Sequence, residues 1–160
     1  MSGKKSNFYK LNIGGLKIYV AVMAAKNVKG DIVAEASREI ESSCPYTVVA
    51  GLPDVKLDLC AIAVSYIHAI EHKIRSGRVR SVSLRFIMEY MSFRQIRDAV
   101  RATQRGLSYI VLASPSPQCL REAISKVSTL GRPVALSTLC DMEVVSEIVE
   151  AGVRSGARFD

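Results

Sequence analysis

The fold class is decided by the stretch Tyr46-Thr47-Val48-Val49-Ala50-Gly51. A short β-branched run closed by glycine is typical of a strand buried on both faces of a sheet. Residues 108–113, Ser-Tyr-Ile-Val-Leu-Ala, have the same character. Helical patterns separate the two runs, at residues 53–75, 82–91 and 93–105. This alternation predicts an α/β or α+β fold with one mixed sheet of about four or five strands, covered by helices.

The flanking sequence adds elements to this centre. Residues 8–13 and 17–23 predict a hairpin, and Asp31 is expected to cap a helix over 32–41. Further along, the sequence predicts a helix from Ser116-Pro117 to 130, a short strand at 133–136 and a last helix at 142–151. We expect a single domain over residues 1–160, with flexible ends at 1–7 and 152–160.

Composition limits the class of protein. The 160 residues are 49% hydrophobic, ample for a packed core, but no apolar stretch reaches the roughly 18 residues needed to cross a bilayer. The first seven residues are polar and basic, and no signal-peptide core follows them. We therefore expect a cytoplasmic protein without membrane contact.

The four cysteines, Cys44, Cys60, Cys119 and Cys140, lie far apart with no C-x-x-C pair. This spacing disfavours both a zinc ribbon and a secreted disulfide framework. Isolated buried thiols are the expectation, with one intracellular disulfide left open for a hyperthermophile.

The excess of positive over negative charge is confined to one segment. Between Lys73 and Arg105 there are nine basic residues and two acidic ones, an excess that equals the net charge of +7 for the whole chain. Eight of the nine are arginine, whose planar guanidinium binds phosphate and stacks on bases. A solvated helical face usually mixes both signs, so this imbalance favours a polyanionic partner.

Catalytic and metal motifs are weak by comparison. His68 and His72 are spaced as zinc ligands on a helix would be, but no third ligand follows from spacing, and contact with a nucleic acid or an ordinary helix surface remains open for both. Phosphate loops, nucleophile elbows and paired carboxylates do not occur in the sequence. We expect no enzyme activity, metal or cofactor.

The chain resembles the smallest subunit of the archaeal and eukaryotic KEOPS complex, the family of the PRPK-binding protein. The resemblance is carried by Leu11 to Leu16, by Val48-Val49-Ala50-Gly51, by His68-Ala69-Ile70 and above all by the run Leu84-Arg85-Phe86-Ile87-Met88-Glu89-Tyr90-Met91-Ser92-Phe93-Arg94-Gln95-Ile96. Family members usually have Ser-Gly-x before Arg-Gln-Ile, where this chain has Met91-Ser92-Phe93.

The resemblance implies a non-catalytic subunit that docks on the small KEOPS kinase and holds the 3′ CCA tail of tRNA during threonylcarbamoyl-adenosine modification. It places Arg94 and Gln95 in the tail site. Charge and spacing add further candidate RNA-binding residues, Arg75, Arg78, Arg80, His68, Lys73 and Arg97. Two alternatives remain: a protein-interaction module whose basic face binds the kinase without RNA contact, and a structural role for Arg94 in an ion pair with Glu89 or Asp98.

Overall fold

The computed structural model describes residues 8–77, 81–104 and 106–136. Ten elements follow one another in chain order: β1 (Tyr9–Ile13), β2 (Leu16–Val28), α1 (Gly30–Ser43), β3 (Val48–Leu52), α2 (Leu59–Ser76), α3 (Val82–Met91), α4 (Ile96–Thr103), β4 (Leu107–Ser114), α5 (Pro117–Val127) and β5 (Gly131–Pro133). The helix predicted at residues 142–151 and the two predicted flexible ends lie outside the described residues.

The strands form a single sheet in the order β1-β2-β4-β3, and β5 pairs with β2 beyond the end of β1. The predicted α+β class with about four or five strands is confirmed. The described pairings are all antiparallel, although a mixed sheet was expected. β2 and β3 do run in the same direction, but they do not pair with each other because β4, which is antiparallel to both, lies between them.

Helices cover both faces of this sheet. On one face α2, α3 and Ala99 of α4 pack against the strands, with Tyr66 and Phe86 as the largest fully buried side chains. On the other face α1 and α5 form a second core. All five residues of β3 are buried, as the β-branched run predicted. Val48, Ala50 and Leu52 belong to the first core and Val49 to the second.

Helix ends follow local capping chemistry in some places and not in others. Ser81 and Ser116 accept hydrogen bonds from the first turns of α3 and α5, and Gly77 ends α2 in the left-handed conformation. The prediction that Asp31 caps α1 is wrong. Lys29 occupies the cap position without a side-chain bond, and Asp31 lies in the first turn, where its charge favours the helix dipole.

The expectation of isolated thiols is also wrong. Cys44 and Cys119 form a disulfide with their Cα atoms 6.0 Å apart, and Cys60 is disulfide-bonded as well. Cys44 follows α1 and Cys119 lies in the first turn of α5. These helices pack side by side on one face of the sheet, a proximity that a sequence separation of 75 residues conceals.

In the part of the chain that the structure describes, none of the helices has the length and apolar character needed to cross a bilayer.

Candidate nucleic-acid interface

The segment before Arg94-Gln95-Ile96 forms a sharp bend between α3 and α4. Ser92 ends α3 in the left-handed conformation with φ 59°. The backbone N–H of Phe93 then donates to the carbonyl oxygen of Met88 at 2.8 Å, which closes the last turn. A residue other than glycine in this region costs roughly 1–2 kcal/mol. The bend is thus kept in this chain without the glycine that favours it.

Beyond the bend, Gln95 and Arg97 are joined by their side chains. Gln95 occupies the N-cap position of α4 but makes no capping bond. Instead the Nε–H of Arg97 donates to Oε1 of Gln95 at 2.7 Å. This bond leaves the amide of Gln95 and the terminal nitrogens of Arg97 as donors for a ligand, side by side at the start of the helix.

Arg94, Arg97 and Arg101, which we call the arginine face, are all exposed. Ala99 is the buried residue of α4, and Arg97 and Arg101 stand two positions before and after it. At about 100° per residue, both therefore project away from the core into solvent. Among the described residues, no acidic side chain pairs with any member of the arginine face.

The predicted apolar face of α4 is only partly correct. Ala99 is fully buried, but Ile96 is 58% exposed and Val100 39% exposed. A single small residue thus anchors α4 on the core, because this short helix lies at the margin of the α2–α3 layer. Exposed apolar and cationic side chains share its surface.

The cations of α2 and α3 are used differently. Arg75 pairs with Glu71 at 2.8 Å, and Arg85 pairs with Glu89 through two nitrogens, at 2.7 and 3.0 Å. Nζ of Lys73 donates to the carbonyl oxygen of Pro45 at 2.7 Å and lies 5.4 Å from the centre of the Tyr46 ring. Among the described residues, Arg94 forms no ion pair with Glu89, which Arg85 binds, or with Asp98, so the structural alternative for Arg94 is not found.

His68 and His72 lie on the side of α2 that faces α3. Nδ1 of His68 is 3.8 Å from Oε1 of Glu89. Partial burial, followed by the nearby Arg85 guanidinium, lowers the pKa of His72. Neither histidine belongs to a group of potential metal ligands among the described residues.

The structure divides the predicted RNA-binding residues into two groups. Arg94, Gln95 and Arg97 meet beyond the end of α3, whereas Lys73 and Arg75 lie near its beginning, since α2 and α3 run antiparallel. The ten residues of α3 separate the groups by about 15 Å. His68 stands between them, and Arg78 and Arg80 lie outside the described residues.

Sequence reasoning missed a neighbouring feature, a cavity of about 440 Å³ between α1 and α4 at the edge of β3, which we call the α1–α4 cleft. Gly30 allows α4 to approach α1, because an added Cβ would collide with the carbonyl oxygen of Thr103. Gly51, on the adjacent strand, leaves room for the side chain of Leu107. These two glycines are the features of the sequence that indicate close packing of α1, α4 and β3 around the cavity.

No known protein family, curated protein or solved structure matches this chain.

Proposed function

We propose that this protein is a non-catalytic, tRNA-binding accessory subunit of a KEOPS-type complex, acting in the cytoplasm. In this proposal it holds the 3′ CCA tail of tRNA and docks on the small kinase, and another subunit carries out the modification. The observation that carries the proposal is the arginine face. It presents three exposed guanidinium groups that no described acidic residue neutralises, beside the motif that resembles the family.

The chemistry of α4 suits a single-stranded RNA end. Guanidinium groups bind phosphate oxygens through paired N–H donors and stack on unpaired bases. The amide of Gln95, fixed by Arg97, offers donors to the edge of a base. Phe93 packs against the core at the bend and leaves part of its ring exposed, where a base could contact it.

The second group of cations supports a longer contact. Lys73 and Arg75 each have an internal partner, and they lie about 15 Å from the arginine face, near the other end of α3. In the proposal, these residues, with Arg78 and Arg80, contact the tRNA backbone while His68 lies between the two contacts. Such contacts position the RNA and carry little sequence information.

The first experiment compares binding of intact tRNA with that of tRNA lacking the CCA end. We expect weaker binding to the shortened tRNA. Log affinity should fall with log salt at a slope of about −3 to −4 if about four phosphates are contacted. Equal affinity for the two RNAs, or binding that does not respond to salt, would contradict the proposal.

Paired variants then test the surface itself. Arg94→Ala with Arg97→Ala should weaken tRNA binding and reduce the salt slope by about two. Arg121→Ala with Arg132→Ala is the matched control, because it removes the same charge from two exposed arginines on α5 and β5. Equal losses in both double variants would indicate attraction by net charge and would overturn the tail site.

One observation favours the alternative of a basic face that binds the kinase without RNA contact. Ile96 and Val100 are exposed between the arginines, and protein interfaces use such apolar side chains more than phosphate contacts do. Copurification with the small kinase, with and without RNase, separates the two functions. Complex formation that survives RNase, together with no measurable tRNA affinity, would favour the alternative.

A further inference from the structure

The α1–α4 cleft has the size and lining of a binding site. Its volume of about 440 Å³ lies in the range of about 300 to 1,000 Å³ typical of ligand sites. Side chains from α1, β3, α3 and α4 form an aliphatic lining that includes Val33, Ala34, Val49, Leu84, Ile87 and Val100. The described residues that line it include no aromatic side chain, so the cleft offers no stacking platform for a base.

The apolar surface continues beyond the cleft along α4. Ile96 lies one turn before Val100 on the same side of the helix, and both are exposed. The eight residues of α4 make this surface about 12 Å long. Such an elongated aliphatic groove between two helices has the form that accepts the apolar side of a partner helix.

The charges around the cleft define the chemistry of the partner. Arg38 on α1 lines one side. Arg97 does not line the cleft itself but lies three residues before Val100, on the neighbouring part of the α4 surface. Neither has an acidic partner among the described residues. Asp31 is the one acidic residue among the described ones that line the cleft. A positive rim around an aliphatic groove favours a partner with acidic side chains flanking apolar ones.

We propose that the α1–α4 cleft docks a short, acidic, amphipathic helix of a protein partner. Leucine, isoleucine or valine side chains of that helix enter the groove, and its carboxylates meet Arg38 and Arg97. The outer side of α4, with Arg101, stays turned away from the cleft. The proposal does not rest on tRNA binding.

A designed peptide of about fourteen residues tests this, with leucine at one-turn spacing and glutamate on both flanks. The full-length protein, labelled at methyl groups, is titrated with it to about 1 mM and followed by NMR. We expect shifts of the Val33, Ala34 and Leu84 methyl signals. A peptide with lysine in place of glutamate should bind at least about tenfold more weakly.

Three variants give the assay its controls. Ala34→Leu fills the cleft from an exposed position on α1 without removing packing, and it should weaken peptide binding at least about tenfold. Ile96→Ser should weaken binding as well. Ile74→Ser removes an equally exposed isoleucine from α2 and should leave binding unchanged.

The outcomes are distinct. No shifts at the highest peptide concentration, shifts that persist in a correctly folded Ala34→Leu variant, or equal binding of the lysine peptide would each overturn the proposal. An oligonucleotide ending in CCA serves as a competitor. If it displaces the peptide from the cleft residues and loses affinity in Ala34→Leu, the cleft is an RNA site and the protein-docking proposal fails.

Discussion

The α2–α3 pair and α4 carry the same kind of charge but use it in different ways. In the α2–α3 pair, arginines bind glutamates one turn away, Arg75 with Glu71 and Arg85 with Glu89. In α4 and the bend before it, the arginine face projects into solvent without acidic partners among the described residues. Charge of the first kind stabilises the fold, and charge of the second kind is available to a ligand.

The two regions also differ in their attachment to the core. α3 buries Val82, Phe86, Ile87 and Met88 and is capped by Ser81, whereas α4 buries Ala99 and has no side-chain cap. Burial of large apolar side chains supplies most of the stability of a small domain. We infer that α2 and α3 form a stable platform and that α4 is held on it with little stabilisation of its own.

The largest expected effect comes from removing the anchor of α3. Phe86 is fully buried and stacks on Tyr90, with 5.8 Å between the ring centres. Phe86→Ala should lower the free energy of unfolding by about 3–5 kcal/mol, measured by urea denaturation. Ile96→Ala on α4 should change it by less than about 0.5 kcal/mol.

If Phe86→Ala does not fold, Phe86→Leu gives a smaller loss of about 1–2 kcal/mol for the same measurement. Similar losses in α3 and α4 variants would show that both helices belong to one stabilising layer, and the contrast between them would be lost.

The second effect concerns the beginning of α3. The Glu41 carboxylate accepts hydrogen bonds from the hydroxyls of Ser37 and Ser81, at 2.9 and 3.1 Å, and from the N–H groups of Val82 and Ser83. Its charge also favours the helix dipole. Glu41→Gln should lower the free energy of unfolding by about 1–2 kcal/mol in thermal denaturation.

Glu35→Gln is the matched control for Glu41→Gln, because Glu35 is exposed on the same helix. A loss as large as that of Glu41→Gln would point to the overall charge of α1 rather than to a cap of α3.

The third effect is a double contrast between Arg85 and Arg101. Arg85→Ala leaves Glu89 without its closest partner and should lower the free energy of unfolding by about 0.5–1 kcal/mol, with little change in tRNA affinity. Arg101→Ala should do the opposite: tRNA affinity falls and the salt slope drops by about one, with stability unchanged. Equal effects of both variants on tRNA affinity would remove the distinction between the two regions.

The smallest effect is a pH dependence from His72. Since its pKa is lowered in the folded protein, the unfolded chain binds the proton more readily. Stability should be constant above about pH 7.5, decline as the pH falls through about 6.5, and level off below the folded-state pKa. His72→Gln should abolish the decline in stability, and His68→Gln should not. Urea denaturation at about four pH values between about 5.5 and 7.5 measures both.

Much of the fold follows from local sequence. The predicted helix at 82–91 matches α3, because Ser81 caps it and its apolar residues repeat at helical spacing. The beginning of α2 was predicted at residues 53–54 but lies at Leu59. Asp58 caps α2 instead, and the Tyr90 hydroxyl binds the preceding segment by accepting a hydrogen bond from Asp58 N–H and donating one to the Lys56 carbonyl oxygen.

The candidate site was less accessible to prediction. A charge count identified the basic segment, but Glu71, the partner of Arg75, stands just before the counted residues. Counting could not show that Arg85 binds Glu89 or that α3 separates Lys73 from Arg94. Gly30 and Gly51 alone do not define the cleft, because its lining comes from α1, β3, α3 and α4, whose approach depends on tertiary packing.

The Cys44–Cys119 disulfide makes a covalent ring of the chain between those residues. α2, the bend and the arginine face all lie within this ring. A single proteolytic cut at any of these places therefore leaves both fragments attached until the disulfide bonds of the chain are reduced. An intact mass on a non-reducing gel is thus no proof that α4 is uncut.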